Sequence, residues 1–438
     1  MKRICLLNDS FPPQIDGVSN AVVNYAKNIN AHYGEALVIT PKVPRANDDA
    51  FSFPVLRYPS IDTRKLFGYV AGYPFSPETM ARLNPESVSL MHVHCPVTSC
   101  ILARSLRSAV DAPLVMTYHT KYDIDVANNI PGKLLQDAAL RAILQNVEAC
   151  DAVWVVSRGA GENLRSLGYE GPFTVMPNGV DVPLGKMDRI TVHEATKDYD
   201  LPADVPVFLF VGRMMWYKGL RLILDALAAL RADEYDFRMV FVGSGGDCDE
   251  IKKYAKGRKI FDKCIFVGPV QERSKLRVWY TRADLFLFPS TFDTYGLVVR
   301  EAAGSSTPSV LIEGSSAAED MVDGQNSFLI QNNAASLAAK LKELCLHPEK
   351  MKQVGETAAK ELYLSWEDAV AMACKEYDAV IERWQKGEYP KRRKLSDEFF
   401  KTQGDLMEIL ASADQLPDRL RHQRAALADA IRKKIDKT

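Results

Sequence analysis

Residues 285–312 read LFLFPSTFDTYGLVVREAAGSSTPSVLI. An apolar run closes on Pro289, a polar loop carries Asp293, Thr294, Tyr295 and Gly296, a helix-like segment follows from Leu297, and a second apolar run, SVLI, starts at Ser309. Short unbroken apolar runs of this kind suit strands covered on both faces, which are the strands of parallel sheets. The alternation continues upstream in VFLFVG at 207–212, RMVFVG at 238–243 and CIFVG at 264–268. A separate series occupies the first part of the chain: ICLL at 4–7, ALVIT at 36–40, SLMHVH at 89–94, PLVMTYH at 113–119 and AVWVVS at 152–157. Helical patterns lie between the runs. In the one at 133–148, Leu134, Leu135, Ala138, Ile143 and Val147 are expected to mark one face.

The segment 176–206 separates the two series, is dense in turn formers and charge, and has little periodicity. The expected fold is therefore α/β, with two tandem Rossmann-like doubly wound domains at 1–180 and 207–365 joined by a linker at 181–206. The piece SWEDAVAMACKEYDAVIERW suits a closing helix at 366–386, and residues 387–438 form a charged helical tail, with Leu420, Leu427, Ile431 and Ile435 near one face of its last helix.

Bulk properties agree with this division. The 438 residues, 47% hydrophobic, can fill more than one core. The 55 basic and 56 acidic side chains nearly cancel, so no global field attracts nucleic acid. The eight cysteines include no CxxC pair, which argues against a zinc knuckle or a disulfide framework. The apolar run after the charged start is too short for a signal sequence, and no stretch reaches the ~18 apolar residues of a membrane span. A cytoplasmic protein is expected, with any membrane contact peripheral.

Ligands of open parallel sheets bind beyond the carboxyl ends of the strands, so a cleft between two such domains is the expected site. The candidate residues sit at predicted strand ends. FPPQIDGVSNAV at 11–22 opens a helix after the first strand and puts Gly17 where backbone amides can approach an anion. FVGRMMWYKGLRLILDAL delivers Gly212 and Arg213 at a strand end, with Lys218 just before a helix. Arginine offers a planar fork to a diphosphate and lysine a compact charge, so the pair can neutralise a leaving group. Asp293 and Glu301 could each accept hydrogen bonds from part of a sugar nucleotide, while amides of Thr294, Tyr295, Gly296 and Leu297 face phosphate. Glu301 stands in an apolar helix start and needs a partner, either a ligand diol or an internal arginine.

Taken together these motifs resemble the glycosyltransferase family 4 type of GT-B enzyme over about residues 1–385. Arg213 and Lys218 match the family's basic pair. Asp293 and Glu301 match its paired acids, with Asp293 one methylene shorter than the usual Glu. The resemblance implies that Glu301 clamps the ribose, that Asp293 contacts the donor hexose, and that His119, at a first-domain strand end in TYHTKYD, stands beside the transferred sugar. Base contacts near Gly268 to Glu272, with Val270 among them, are expected to be largely backbone. FPPQIDGVSNAV together with YHTKYD is most similar to the branch that glycosylates diacylglycerol and related lipids. The run Arg64-Lys65-Leu66-Phe67-Gly68-Tyr69-Val70 and YPKRRK at 389–394 both set basic residues beside apolar or aromatic ones, as peripheral membrane binders do, so Arg64, Lys65 and Phe67, together with Tyr122, are the acceptor-side candidates.

The implied reaction is retaining transfer of a hexose from a nucleotide-diphosphate sugar, UDP-glucose or UDP-galactose, to an acceptor hydroxyl such as that of a membrane lipid. Retention would have the acceptor attack from the face the nucleotide leaves, with Arg213, Lys218 and loop amides holding the leaving charge and no cofactor or metal required. GDP-mannose donors, soluble or polysaccharide acceptors, and an inactive nucleotide-sugar-binding protein remain alternatives. Asp123-Ile-Asp125 and Asp247-Cys248-Asp249 imitate a DxD metal site of the other glycosyltransferase fold. GSGGDC at 243–248 imitates a dinucleotide fingerprint, with Cys248 in place of its third glycine. His92 and His94 alternate along a strand and share a face, a weak metal signature.

Overall fold

The computed structural model describes residues 2–14, 16–63, 70–107, 109–389, 399–400 and 402–404. Two compact units emerge, one built from Met1–Trp154, Leu164–Thr174 and Val370–Thr438, the other from Val155–Asn163 and Val175–Ala369.

The strands of the first unit are β1 (Arg3–Leu7), β2 (Glu35–Pro41), β3 (Val55–Tyr58), β4 (Ser60–Ile61), β5 (Ala71–Gly72), β6 (Leu90–Val93), β7 (Leu114–Tyr118), β8 (Ala152–Val155) and β9 (Thr174–Val175). Seven of them form one sheet in the order β3-β2-β1-β6-β7-β8-β9. The pairs linking β3, β2, β1, β6 and β7 are all parallel. The remaining two, β4 and β5, make a separate antiparallel ribbon. The helix Gly17–His32 opens on a reciprocal capping box between Asp16 and Ser19. From Val370 on, the helix Trp366–Gln385 belongs to this unit, and its Tyr377 stacks on Trp154 with ring centroids 5.1 Å apart.

The second unit holds β10 (Val207–Val211), β11 (Arg238–Val242), β12 (Cys264–Gly268), β13 (Leu285–Phe288), β14 (Ser309–Ile312) and β15 (Phe328–Ile330). They form a six-stranded sheet in the order β12-β11-β10-β13-β14-β15. Every adjacent pair is parallel. Phe208, Phe210, Phe241 and Phe286 are fully buried in its core. The strand order reverses between β10 and β13, and the carboxyl ends of strands at such a switch point are where doubly wound sheets take ligands.

Two expectations need correction. The helix Lys133–Glu148 forms where its periodicity places it, but Leu134 is 79% and Leu135 58% exposed. Its contact face lies further along, at Ile143, Asn146 and Val147, where Asn146 accepts from Arg104 and donates to the Pro96 carbonyl. The segment read as featureless linker contains a helix, Arg189–Thr196, which packs on the helix Arg273–Arg282. Asp188 caps it through the Thr191 amide at 2.8 Å, a signal that its short length and weak periodicity concealed.

Candidate active site

In the second unit, β10, β11 and β12 lead into Gly212, Gly243 and Gly268. The Gly212 amide donates to the Val242 carbonyl at 3.0 Å and the Gly243 amide to the Gly268 carbonyl at 2.8 Å. Gly243 has φ +140°, and a Cβ there would stand 1.9 Å from the Gly212 carbonyl oxygen. The GSGGDC motif therefore packs one strand end against the next, a role met without a dinucleotide. Asp247 accepts from the Trp216 amide at 2.8 Å and so anchors the basic loop after β10.

That loop holds Arg213 exposed and turns back through Gly219, at φ +79°. A Cβ on Gly219 would meet the Pro289 carbonyl oxygen at 2.1 Å. The close approach presses the basic loop onto the end of β13 and brings Lys218 to the polar loop of residues 290–296. The Lys218 Nζ lies 2.7 Å from Asp293 Oδ1, and the Ser290 hydroxyl donates to Asp293 Oδ2 at 2.6 Å. The ammonium also sits 5.5 Å and 5.3 Å from the ring centres of Tyr217 and Phe292, a cation–π setting that limits where it can go. Gly219→Ala is expected to cost about 1–2 kcal/mol from the left-handed conformation alone, with more from the clash. Thermal or urea unfolding reads this directly, and an unchanged midpoint would show that the loop relaxes without cost.

Gly296 is the N-cap of the helix Leu297–Gly304; in its first turn the Val299 amide donates to the Gly296 carbonyl at 2.9 Å, and those of Leu297 and Val298 precede the intrahelical ladder. The loop ahead of it is fixed by its carbonyls: Thr294 accepts from the Ser157 hydroxyl at 2.5 Å and Tyr295 from Arg300 at 2.9 Å. Tyr295 is itself buried under the Arg300 guanidinium, 3.9 Å from its ring centre. Leu297 and Val270 are half-buried.

Glu301 is only 5% exposed, and its partners are an arginine whose own side chain is 45% exposed and a buried tyrosine. Arg273 Nη1 donates to Oε1 at 3.0 Å and the Tyr280 hydroxyl to Oε2 at 2.8 Å. Arg273 also pairs with Asp181 at 3.2 Å. Burial raises the Glu301 pKa, and Arg273 and the Tyr280 hydrogen bond oppose the rise. A carboxylate has about four acceptor positions, so two donors leave room for a ligand diol. Glu301→Gln is expected to weaken nucleotide binding about tenfold to a hundredfold through lost charge-assisted hydrogen bonds. Titration calorimetry checks this; normal binding by a variant that unfolds more easily would make Glu301 a structural acid.

In the first unit, His119 follows β7 and is 7% exposed. Its Nε2 lies 3.0 Å from His94 Nδ1, while His92 bonds the Tyr377 hydroxyl through Nδ1 at 2.5 Å and the Thr117 hydroxyl through Nε2 at 2.7 Å. His92 and His94 do share a face, with ring centres 4.0 Å apart. Their contacts make a buried polar network, and among the described residues no group of three or more His, Cys, Asp or Glu could hold a metal ion. Desolvation drives His92 and His94 well below the ordinary histidine range and His119 to about 3.

Gly17 is the first residue of its helix, exposed, with open space where a Cβ would stand. Tyr122 is half-buried and donates to Cys95 Sγ at 3.6 Å. Asp123 and Asp125 lie in the first turn of the helix Tyr122–Asn129, where a helix favours negative charge. Arg64, Lys65 and Phe67 fall outside the described residues, as do Pro390 to Lys394 of the basic cluster and the expected helix around Leu427. Ser290, Gly219, Arg273, Tyr280 and Asp181 escaped the sequence reading, which weighed Asp247 and His94 only as part of a DxD imitation and of a weak metal signature. Of those five, only the glycine, standing immediately before a helix and after a basic loop, left a trace there.

Two parallel doubly wound sheets, with basic and acidic strand-end loops meeting at the switch point of the second, define a GT-B glycosyltransferase. The model described as "Glycosyltransferase Family 4" matches residues 15–183 and that for "Glycosyl transferases group 1" residues 192–361. The chain belongs to the family 4 glycosyltransferases. It is 21% identical, across 91% of each chain, to an alpha-monoglucosyldiacylglycerol synthase of Streptococcus pneumoniae. It is 24% identical to the enzyme of that name from Acholeplasma laidlawii, over 82% of this chain and 94% of that one. Among solved structures, Anabaena Alr3699/HepE in complex with UDP superposes with a TM-score of 0.70 at 18% identity, over 86% of this chain and all of that one.

Proposed function

We propose that the protein transfers a hexose, with retention, from a UDP-sugar to a hydroxyl of a membrane lipid such as diacylglycerol, and that it does so without a divalent ion. The observation that carries this reading is the meeting of the β10 loop with the β13 loop through Lys218 and Asp293. A donor's diphosphate at this switch point would find Lys218, Arg213 and the first-turn amides of the helix Leu297–Gly304 in place of a metal. The donor diol falls to Glu301 and the hexose to Asp293, while His119 keeps the sugar-binding role that the family resemblance implies. Because the leaving group gains charge in the transition state, these fixed cations and amides stabilise that state more than the ground state. The lipid acceptor is supported by the names of the two synthases, and UDP by the ligand of the Anabaena protein.

Incubation of labelled UDP-glucose or UDP-galactose with diacylglycerol vesicles is expected to give glycolipid in the presence of a chelator. Activity that vanishes on chelation and returns with manganese would refute the metal-free part. Donor that binds and is never turned over would favour an inactive binding protein, the second reading to which the Lys218–Asp293 pair also lends itself, since the pair partly neutralises the cation. Among the described residues no helix is long and apolar enough to cross a membrane, so acceptor access implies docking on a lipid surface. Binding to anionic liposomes is expected to weaken with salt; equal binding to neutral vesicles would remove the electrostatic part of that docking.

A further inference from the structure

Phe399 and Phe400 lie beyond the closing helix in sequence and pack on the body of the first unit. The Phe400 ring stacks on Phe75, with centroids 6.3 Å apart and planes within 15°, and the Arg104 guanidinium carbon sits 4.3 Å from its centre. Arg104 belongs to the helix Thr98–Leu106, is 5% exposed, and donates from Nη1 to Asn146 Oδ1 at 2.8 Å. A guanidinium already desolvated and held in place attracts a ring face more strongly than one in water. Phe75 lies on the segment that leaves β5. Phe400 therefore bridges this helix and the end of the β4–β5 ribbon. The ribbon meets the same helix at its other end. Asp9 accepts from the Thr98 and Ser99 amides at 3.1 and 2.6 Å, capping the helix from a distant segment, and from the Tyr58 hydroxyl at 3.3 Å. The Tyr58 ring lies against Gly72 of β5, and the Tyr73 amide donates to the Pro59 carbonyl at 2.7 Å across the ribbon's base. Arg64, Lys65 and Phe67, the acceptor-side candidates, fall between the two ribbon strands in the chain.

We propose that Phe400 is a positioning residue for the acceptor: its ring fixes the β4–β5 ribbon against the helix Thr98–Leu106, and with the ribbon the run that meets the lipid. The tail after the closing helix then contributes to acceptor binding through one aromatic side chain, without touching the acceptor itself. Every residue in this chain of contacts belongs to the first unit, whereas Lys218, Asp293 and Glu301 belong to the second. Loss of the Phe400 ring should therefore act on the acceptor and spare the nucleotide. The bearing on the acceptor rests on the proposed transfer to a lipid; the fastening of the ribbon does not.

Two measurements on the full-length protein test the two parts. In Phe400→Ala without substrate, hydrogen exchange at the Tyr73 amide is expected to quicken about tenfold, and Phe400→Tyr, which keeps a ring between Arg104 and Phe75, is expected to restore the protection. In initial-rate kinetics with UDP-glucose and diacylglycerol vesicles, Phe400→Ala is expected to raise the acceptor KM about fivefold to tenfold, with donor KM changed by less than about twofold and Phe400→Tyr close to the wild type. Unchanged exchange at Tyr73 overturns the fastening of the ribbon. Faster exchange with an unchanged acceptor KM overturns its bearing on the acceptor, as does an equal rise in both KM values, which marks general loosening. A wild type that glycosylates no lipid would instead overturn the proposed acceptor class, and the exchange at Tyr73 would still decide whether Phe400 holds the ribbon.

Discussion

Lys218→Ala is expected to lower kcat by about 10²–10³, or ~3–4 kcal/mol of transition-state stabilisation, with a smaller effect on donor binding. The cation is held in one place, because its side chain is 12% exposed, paired at 2.7 Å with Asp293 and bracketed by two aromatic rings. A solvated loop lysine would change stability by under ~0.5 kcal/mol and leave the rate alone. The pair complicates the single variant, because truncation also removes a cation from Asp293 and leaves that carboxylate bonded to the Ser290 hydroxyl. A cycle with Asp293→Asn separates the two effects. If Lys218 acts on the leaving phosphate, the rate loss persists in the double variant; if its purpose is to hold Asp293, the second substitution adds little. Arg213→Lys is expected to be harmful too, since an ammonium cannot reproduce a two-pronged contact. Initial-rate kinetics decide, and full activity in Lys218→Ala would mean that another group holds the departing charge.

The parallel sheets were legible because strands buried on both faces leave unbroken apolar runs, and those at 207–212, 238–243, 264–268, 285–289 and 309–312 correspond to five of the six strands of the second sheet. The strand ends were legible as well, since Gly212 and Pro289 stop their runs abruptly. Contacts between distant segments were not. Nothing local announces that Arg273 reaches both Glu301 and Asp181, or that Lys218 meets Asp293, because such pairs depend on the strand order and not on spacing. The missing piece for Glu301 was narrower: its burial demanded a partner, and only the fold could say that an arginine and a tyrosine supply it. The exposed Leu134 and Leu135 show the reverse limit, where periodicity marks a face without saying how much of it is covered.

The three buried histidines carry the largest expected pH effect on stability. All three are held below the unperturbed histidine pKa of about 6.5, His119 to about 3, chiefly by desolvation. As pH falls through 6.5 the unfolded chain takes up a proton at each, while the folded chain stays neutral. The unfolded state then binds more protons, so stability falls with falling pH, and the loss continues until the folded-state values are reached. Each pH unit in this window costs about 1.4 kcal/mol per histidine, so lowering pH from 7.5 to 5.5 is expected to remove up to about 4 kcal/mol from the three together. Carboxylates held low by partners, such as Asp378 with Lys2 and Tyr33, add losses of the same sign only in a more acidic range. The opposite shift of Glu301 acts in the other direction, around the ordinary carboxylate range. Urea unfolding at a series of pH values measures the slope. His94→Asn should make it shallower by about one histidine's share while leaving stability at pH 7.5 less affected than His94→Phe does. A stability that is flat between pH 7.5 and 5.5 would mean that these imidazoles protonate in the folded state, and with that result the neutral network binding His119 to His94 would lose its basis.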